Sequence, residues 1–388
     1  MKTLTITWSS YNNYGTLLQA YALQQKLEQL GCENEILYDA EVLRRQFAGK
    51  DRRKAAENGS DSLGQKLARL LRCPGRLGRK ALSRTNAAAY QRPFTASREA
   101  SEAFRREALK IRYDVPVEEF SGLDRDYDAF VCGSDQVWSV FDEVFNPFYY
   151  LDFTAKPKIA YAPSMGTDRI PPQRAEQIRA LVQDFTAISV REESSARRLE
   201  EITGRAVSWV LDPTLLHERS FWEQFTDGAE APSGKYLLCY FLRNQPWYFD
   251  YAMTLARKMK LKLVLIPSDW EYLQYPFTAS FGVGPREFVN LFRNAAFVLT
   301  DSYHGSIFST IFDRDFLYLQ RFRDDDPESQ NIRIHSLFGA LGLGDRIVTQ
   351  DRKPARITPI DFGAVHATLA NLRRSSITFL RESLEKIP

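Results

Sequence analysis

Cysteine is scarce in this 388-residue chain: Cys32, Cys73, Cys132 and Cys239 are the only four, and they lie far apart. None forms a CxxC pair or sits near a histidine, so neither a zinc site nor a dithiol motif is supported, and a disulfide scaffold is excluded. The thiols are expected to act as small hydrophobes in a reducing compartment. Long apolar runs are missing too. No stretch approaches the ~18–20 uninterrupted residues of a membrane span, and the first strand-like run, Leu4 to Trp8, passes at once into polar SSYNNYG. A soluble cytoplasmic protein is expected. There is no GxGxxG, Walker lysine loop, HExxH or suitably placed GxSxG, so hydride transfer, NTP hydrolysis and serine hydrolysis lose most of their support. Internal repeats and low-complexity tracts are also lacking.

What remains is ordinary globular material. A hydrophobic content of 44% with 26% charged residues argues against disorder, and at ~100–200 residues per domain the length suggests two domains. Charge is unevenly spread. Residues 41–112 hold 19 Lys+Arg against 7 Asp+Glu, leaving an acidic balance for the rest. Within that stretch Leu63, Leu67, Leu70 and Leu71 recur at helical spacing among Lys66, Arg69, Arg72, Arg76, Arg79 and Lys80. Two readings stay open: a solvated helical insertion packing on its own domain, or a helix lying on an anionic membrane surface. Nucleic acid is disfavoured, because aromatics for stacking are few.

The rest alternates between strand and helix patterns. KTLTITW at residues 2–8 reads as a strand, a helix is expected from about Gly15 to Leu30 with Gly31 as its stop, and NEILY at 34–38 completes a βαβ opening. Further strands are expected at 129–132, 159–162, 188–190, 207–211, 236–242, 261–266, 297–300 and 316–319. Polar sequence with Pro and Gly at about 219–235 reads as the interdomain connection. A crossover helix is expected at 285–295, and Phe362, Val365, Leu369 and Leu372 mark a terminal amphipathic helix. The fold class is α/β: two doubly wound Rossmann-like domains facing a cleft. Expected bounds are 1–225, carrying a basic helical insertion at 41–112, then 226–360, with 361–388 packing across both.

In such folds the chemistry sits just beyond the strand carboxyl ends. Four segments occupy that position: Asn12-Asn13-Tyr14-Gly15, Gly133-Ser134-Asp135-Gln136-Val137-Trp138, Val190-Arg191-Glu192-Glu193-Ser194-Ser195, and Thr300-Asp301-Ser302-Tyr303-His304-Gly305-Ser306. The last opens a helix whose amino terminus suits an anion. There His304 either moves a proton at neutral pH or hydrogen-bonds within the fold, and Asp301 or Ser302 supplies a helix cap. Arg191 either grips a carboxylate or phosphate bidentately or pairs with Glu192 or Asp212. Ser134 and Asp135 cap a helix or contact a sugar hydroxyl. Asn13, Tyr14 and Gly15 permit close backbone approach by a ligand. His217, His335 and His366 have no comparable setting.

Taken in order, several blocks resemble the polysaccharide pyruvyl transferase family: NYGTLLQAYALQ (13–24), GSDQVW (133–138) with NPFYYLDF (146–153), IAYAPSMG (159–166), ISVREESS (188–195), VLDPTLL (210–216), VGPREFVNLFRNA (283–295) and TDSYHGSIFS (300–309). The resemblance spans about residues 3–345 and omits the basic stretch. It implies a two-domain, GT-B-like arrangement and transfer of a pyruvyl group from phosphoenolpyruvate onto two hydroxyls of a sugar, forming a cyclic ketal in a cell-surface polysaccharide or its lipid-linked precursor. An Arg and a His facing the cleft are associated with that chemistry in the family; Arg191 and His304 are the matching positions.

On this basis His304 is assigned as proton shuttle, and Arg191 with the Gly305 and Ser306 amides as the clamp for carboxylate or phosphate. Asp135 and Asn13 orient the acceptor, with Tyr14, Gly15, Ser134, Gln136, Asp301, Ser302 and Tyr303 completing the substrate-binding set. No metal or cofactor is expected beyond phosphoenolpyruvate as co-substrate. The expected partners are that donor, a sugar or lipid-linked acceptor, and an anionic membrane surface through 41–112. Two rivals stand: a GT-B-like glycosyltransferase using a nucleotide sugar, and a non-catalytic glycan or lipid-carrier binding protein.

Overall fold

Strand β1 (Lys2–Ile6) is buried along almost its whole length and pairs in parallel with β2 (Glu33–Leu37) on one side and β4 (Ala129–Cys132) on the other, as a central strand covered on both faces must. Between β1 and β2 runs α1 (Tyr14–Gln29), capped by the Asn13 side chain and burying Leu17, Leu18, Ala20, Leu23 and Leu27. Gly31 ends it at φ 88°, where the Cys32 amide reaches back to the Leu27 carbonyl at 3.0 Å. The computed structural model describes residues 1–48, 87–141, 144–268, 272, 275 and 277–388. The leucine-spaced helix expected around 63–71 lies outside the described residues.

The chain continues through α2 (Ala40–Ala48), α3 (Ala87–Ala108), β3 (Ile111–Arg112), β4, β5 (Lys158–Ala160), α4 (Pro172–Leu181), β6 (Phe185–Val190), α5 (Glu193–Thr203) and β7 (Ser208–Trp209). Seven strands form one sheet in the order β3-β2-β1-β4-β5-β6-β7, all pairings parallel. After α6 (Arg219–Phe225) a second series follows: β8 (Tyr236–Tyr240), α7 (Pro246–Met259), β9 (Lys262–Ile266), β10 (Thr278–Ala279), α8 (Pro285–Asn294), β11 (Phe297–Thr300), α9 (Tyr303–Ile311), β12 (Phe316–Leu319), α10 (Ile332–Leu341), β13 (Ile347–Val348) and α11 (Phe362–Glu385). Its six strands run β10-β9-β8-β11-β12-β13, again parallel. Strand order reverses between β1 and β4 in one sheet and between β8 and β11 in the other. These are the switch points where crevices open in doubly wound folds.

Three features depart from the sequence expectations. The end of the basic stretch is not a detachable insertion: β3 pairs with β2, and Phe104 of α3 is buried in the core. The segment expected as a linker at 219–235 begins with α6, whose Trp222 and Phe225 are buried against the core. The 159–162 strand stops at Ala160, because Ala162 adopts a left-handed φ of 54°.

Aromatic packing joins the two sheet units. Tyr14 of α1 stacks on Phe288 of α8 at 4.6 Å and donates its hydroxyl to the Val283 carbonyl at 3.1 Å. Trp222 meets Phe308 of α9 edge-on at 4.9 Å. Helix α11 touches both sides: Ser376 accepts from the Leu211 amide at 3.0 Å, and His366 approaches Asp313 at 2.5 Å. No described helix is long and apolar enough to cross a membrane.

Candidate active site

Asp212 is the hub, and its position follows from the strand before it. The Val210 amide continues the ladder to Val190 at 3.1 Å, and Pro213 then forces a turn. One carboxylate oxygen, Oδ1, caps that turn by accepting from the Thr214 amide (3.0 Å) and hydroxyl (2.6 Å). The other, Oδ2, faces two nitrogen-bearing side chains from different sheets. Arg191 Nη1, just past the end of β6, donates to it at 2.6 Å, and His304 Nε2, in the first turn of α9, lies 3.4 Å away. All three residues are buried. Burial alone would raise the Asp212 carboxyl, but the charges of His304 and Arg191 and the Thr214 bond outweigh it and hold it well below the usual carboxylate range.

This arrangement leaves donors idle. Arg191 Nε and Nη2, the paired edge of the guanidinium, are shielded from solvent and donate to no acceptor among the described residues, although Glu192 and Asp135 oxygens stand 3.8 and 3.9 Å off. The plane of Arg191 lies 4.5 Å from the Tyr303 ring centroid. His304 Nε2 is buried too, and with Asp212 Oδ2 at 3.4 Å it makes no well-aligned hydrogen bond among the described residues. Native structures rarely tolerate unsatisfied buried donors, and a bidentate guanidinium edge is shaped for a carboxylate or phosphate. Glu192 accepts from Ser164, and burial pushes its carboxyl up from the ordinary value.

The other sequence candidates divide sharply. Gly15 belongs to the site by absence of a side chain: a Cβ there would stand 2.1 Å from His304 Nδ1, so the space expected to admit a ligand is filled by the imidazole. Asp135 accepts from the Thr16 hydroxyl at 2.6 Å and the Gln136 amide at 2.9 Å while facing Arg191. Gln136 donates to Gln330 Oε1 at 3.0 Å across the sheet units.

The remaining candidates make their hydrogen bonds within the fold. Asn13 Oδ1 is consumed in capping α1, Tyr14 is packed on α8, and Ser134 donates to the Ala162 carbonyl at 2.7 Å. Asp301 accepts from the Leu242 and Arg243 amides at 2.6 and 3.0 Å. Ser302 caps α9 by taking the Gly305 amide, its carbonyl takes the Ser306 amide, and the Ser306 hydroxyl donates to Tyr303. The expected clamp of Gly305 and Ser306 amides is therefore already spent inside the helix. Sequence reasoning missed Arg333, a buried cation in α10, because its spacing among Ile332, Ile334 and Leu337 reads as an ordinary amphipathic helix.

A family model described as polysaccharide pyruvyl transferase matches residues 13–320. Among solved structures the chain is similar to S. aureus MnaA in its UDP co-structure, at 11% identity over 98% of this chain and 91% of that one, with a TM-score of 0.47. It is also similar to UDP-GlcNAc 2-epimerase from Neisseria meningitidis bound to UDP-GlcNAc, at 10% identity over 100% and 95% of the two chains, TM-score 0.46. For E. coli heptosyltransferase WaaC with ADP-2-deoxy-2-fluoro heptose the figures are 11% identity, 96% and 99% coverage, and 0.40. No curated protein matches the chain.

Proposed function

The chain belongs to the polysaccharide pyruvyl transferase family, and from that premise we propose that it moves a pyruvyl group from phosphoenolpyruvate to two hydroxyls of a sugar in a cell-surface polysaccharide or its lipid-linked precursor. The supporting observation is the convergence on one carboxylate of an idle guanidinium edge, Nε and Nη2 of Arg191, and the imidazole Nε2 of His304, buried together at Asp212. The reaction asks for an anion grip and a proton donor within reach of one small molecule, and these groups supply both.

In this reading the donor carboxylate lies on the open edge of Arg191. A protonated His304 gives its proton to C3 of the enol, leaving C2 with oxocarbenium character. A sugar hydroxyl adds its oxygen to C2 and returns a proton to the imidazole. The C2–O bond to phosphate then breaks, and a neighbouring hydroxyl closes the ketal, its proton leaving with the phosphate. Asp212 stays ionised throughout and supplies the counter-charge for His304 and Arg191.

The test is incubation of the purified protein with phosphoenolpyruvate and candidate glycans. Phosphate release matched to the mass gain of one pyruvyl ketal supports the reading. Nucleotide-dependent sugar transfer overturns it, as does glycan binding that is indifferent to both His304→Gln and Arg191→Lys. A lipid-linked acceptor would bring the chain to an anionic membrane face, where residues 49–86, with 11 Lys+Arg against 3 Asp+Glu, are the proposed contact. Association with anionic vesicles at low salt should fall when 49–86 are deleted, and unchanged association removes that partner.

A further inference from the structure

Phosphoenolpyruvate poses a charge problem that Arg191 cannot solve alone. The molecule combines a carboxylate with a phosphate monoester and carries up to ~3 negative charges at neutral pH. Arg191 is already surrounded by acid: Asp212 at 2.6 Å, Glu192 at 3.8 Å and Asp135 at 3.9 Å. A single guanidinium shared among those oxygens has little attraction left for a polyanion. More positive charge has to face the same space.

Arg333 is placed to provide it. The residue is only 7% exposed. Its Nη2 donates to Gln330 Oε1 at 3.0 Å and its Nε to the Gln330 carbonyl at 3.4 Å, both neutral acceptors. Among the described residues no carboxylate forms an ion pair with it, and Nη1 donates to none of them. The first turns of α10 are held against the loops that flank Arg191. Gln330 Oε1 also accepts from Gln136, next to Asp135, and Ser336 Oγ accepts from the Glu193 amide at 3.0 Å, two residues beyond Arg191. Burial and the neighbouring charges of Arg321 and Arg191 pull the Arg333 guanidinium down to about 10, against a weaker upward pull from the Asp135 carboxylate. A largely buried cation whose direct acceptors are neutral, and on which like charges outweigh the Asp135 carboxylate, gains from a ligand that brings a counter-ion.

We propose that Arg333 forms the second half of the donor site, holding the phosphate of phosphoenolpyruvate while the open edge of Arg191 takes the carboxylate. The division follows shape and charge: a planar two-donor edge matches a planar carboxylate, whereas the dianionic phosphate goes where Arg333 and Arg321 add their charges. The inference rests on the donor being phosphoenolpyruvate, and its test separates the two.

Calorimetry and thermal melting of the full chain, wild type, Arg333→Met and Arg333→Lys, would be run with phosphoenolpyruvate, inorganic phosphate and pyruvate. In Arg333→Met, affinity for phosphoenolpyruvate and phosphate falls about 10-fold or more, pyruvate binding is unchanged, and Arg333→Lys recovers part of the loss. Without ligand, Arg333→Met melts no lower than wild type, since a buried charge with no ion pair among the described residues has been removed, but its melting point no longer rises with phosphate. Wild-type affinity in Arg333→Met, or a lower melting point with and without phosphate alike, overturns the proposal and makes Arg333 a structural tie. If wild type binds phosphate but not phosphoenolpyruvate, the donor reading fails while loss of phosphate binding in Arg333→Met still supports the subsite. Wild type binding neither overturns both.

Discussion

Arg105 and Arg191 are equally hidden from solvent and do opposite things. Arg105, on α3, spends Nε and Nη2 on the loop after β1: Nε reaches the Ser9 carbonyl at 2.8 Å and Nη2 reaches the Ser10 and Tyr11 carbonyls and Asn12 Oδ1, while only Nη1, in an ion pair 2.5 Å from Glu102, lacks hydrogen-bond alignment. Arg191 uses Nη1 on Asp212 and leaves a whole edge idle. The first residue is a tie that shapes a loop, and the second is a grip without its load. Burial therefore does not distinguish structure from function here; satisfaction does.

The sharpest way to break this contrast is a matched pair of substitutions. Arg191→Lys keeps a positive charge beside Asp212 but removes the two-donor edge, so turnover should fall by about 10²–10³ with little change in melting temperature. Arg105→Lys cannot reach four acceptors with one ammonium, and should lower unfolding free energy by about 3 kcal/mol, while kcat of the folded fraction stays within a few-fold. Denaturant titration and phosphate-release kinetics on both variants check the pair. If Arg105→Lys loses turnover as severely as Arg191→Lys while remaining equally stable, the distinction by satisfaction is wrong.

Gly15→Ala probes the same site from the side of shape. The new Cβ would stand 2.1 Å from His304 Nδ1, so the imidazole has to move away from Asp212. Turnover should drop by roughly 10–10²-fold, with phosphoenolpyruvate affinity changing far less, because the displaced group moves the proton and does not grip the anion. An alanine variant with full kcat would show that the ring position is not used.

The sequence carried these two regions unequally. The βαβ opening, the crossover helix at 285–295 and the strand ends at Arg191 and His304 are legible because apolar runs of fixed period stop abruptly at polar residues. The two-residue strands β3, β10 and β13 are too short to show a period at all, and β7, equally short, is legible only through the longer apolar run at 207–211. Ser134, Asp301, Ser302, Gly305 and Ser306 illustrate a different limit. A polar residue at a strand end has the same spelling whether it caps a helix or meets a ligand, and only the hydrogen bonds decide. Arg333 fails in the opposite sense: a cation inside a helical pattern reads as solvated until the opposing sheet unit is seen to cover it.

The contrast extends to two of the carboxylates that follow strands. Asp212 faces Arg191 and His304 and is held low; Asp301 accepts two amides, yet burial dominates and pushes it up to about 6 from an ordinary 3.8. A group whose folded value is raised binds its proton more tightly in the native state. Its contribution to stability is full below about 3.8 and is lost as pH rises through about 6, at no more than ~1.4 kcal/mol for each pH unit crossed. His217 slopes the other way over an overlapping window. Burial lowers it to about 4, so its contribution is present above about 6.5 and lost as pH falls through 4. The wild-type curve alone mixes the two, but the difference between wild type and Asp301→Asn isolates the carboxyl, because His217 is common to both. Urea unfolding from pH 4 to 7 should show that difference shrinking as pH rises. A flat or growing difference would mean that the Leu242 and Arg243 amides keep Asp301 ionised, and that it is poised like Asp212 instead of merely satisfied.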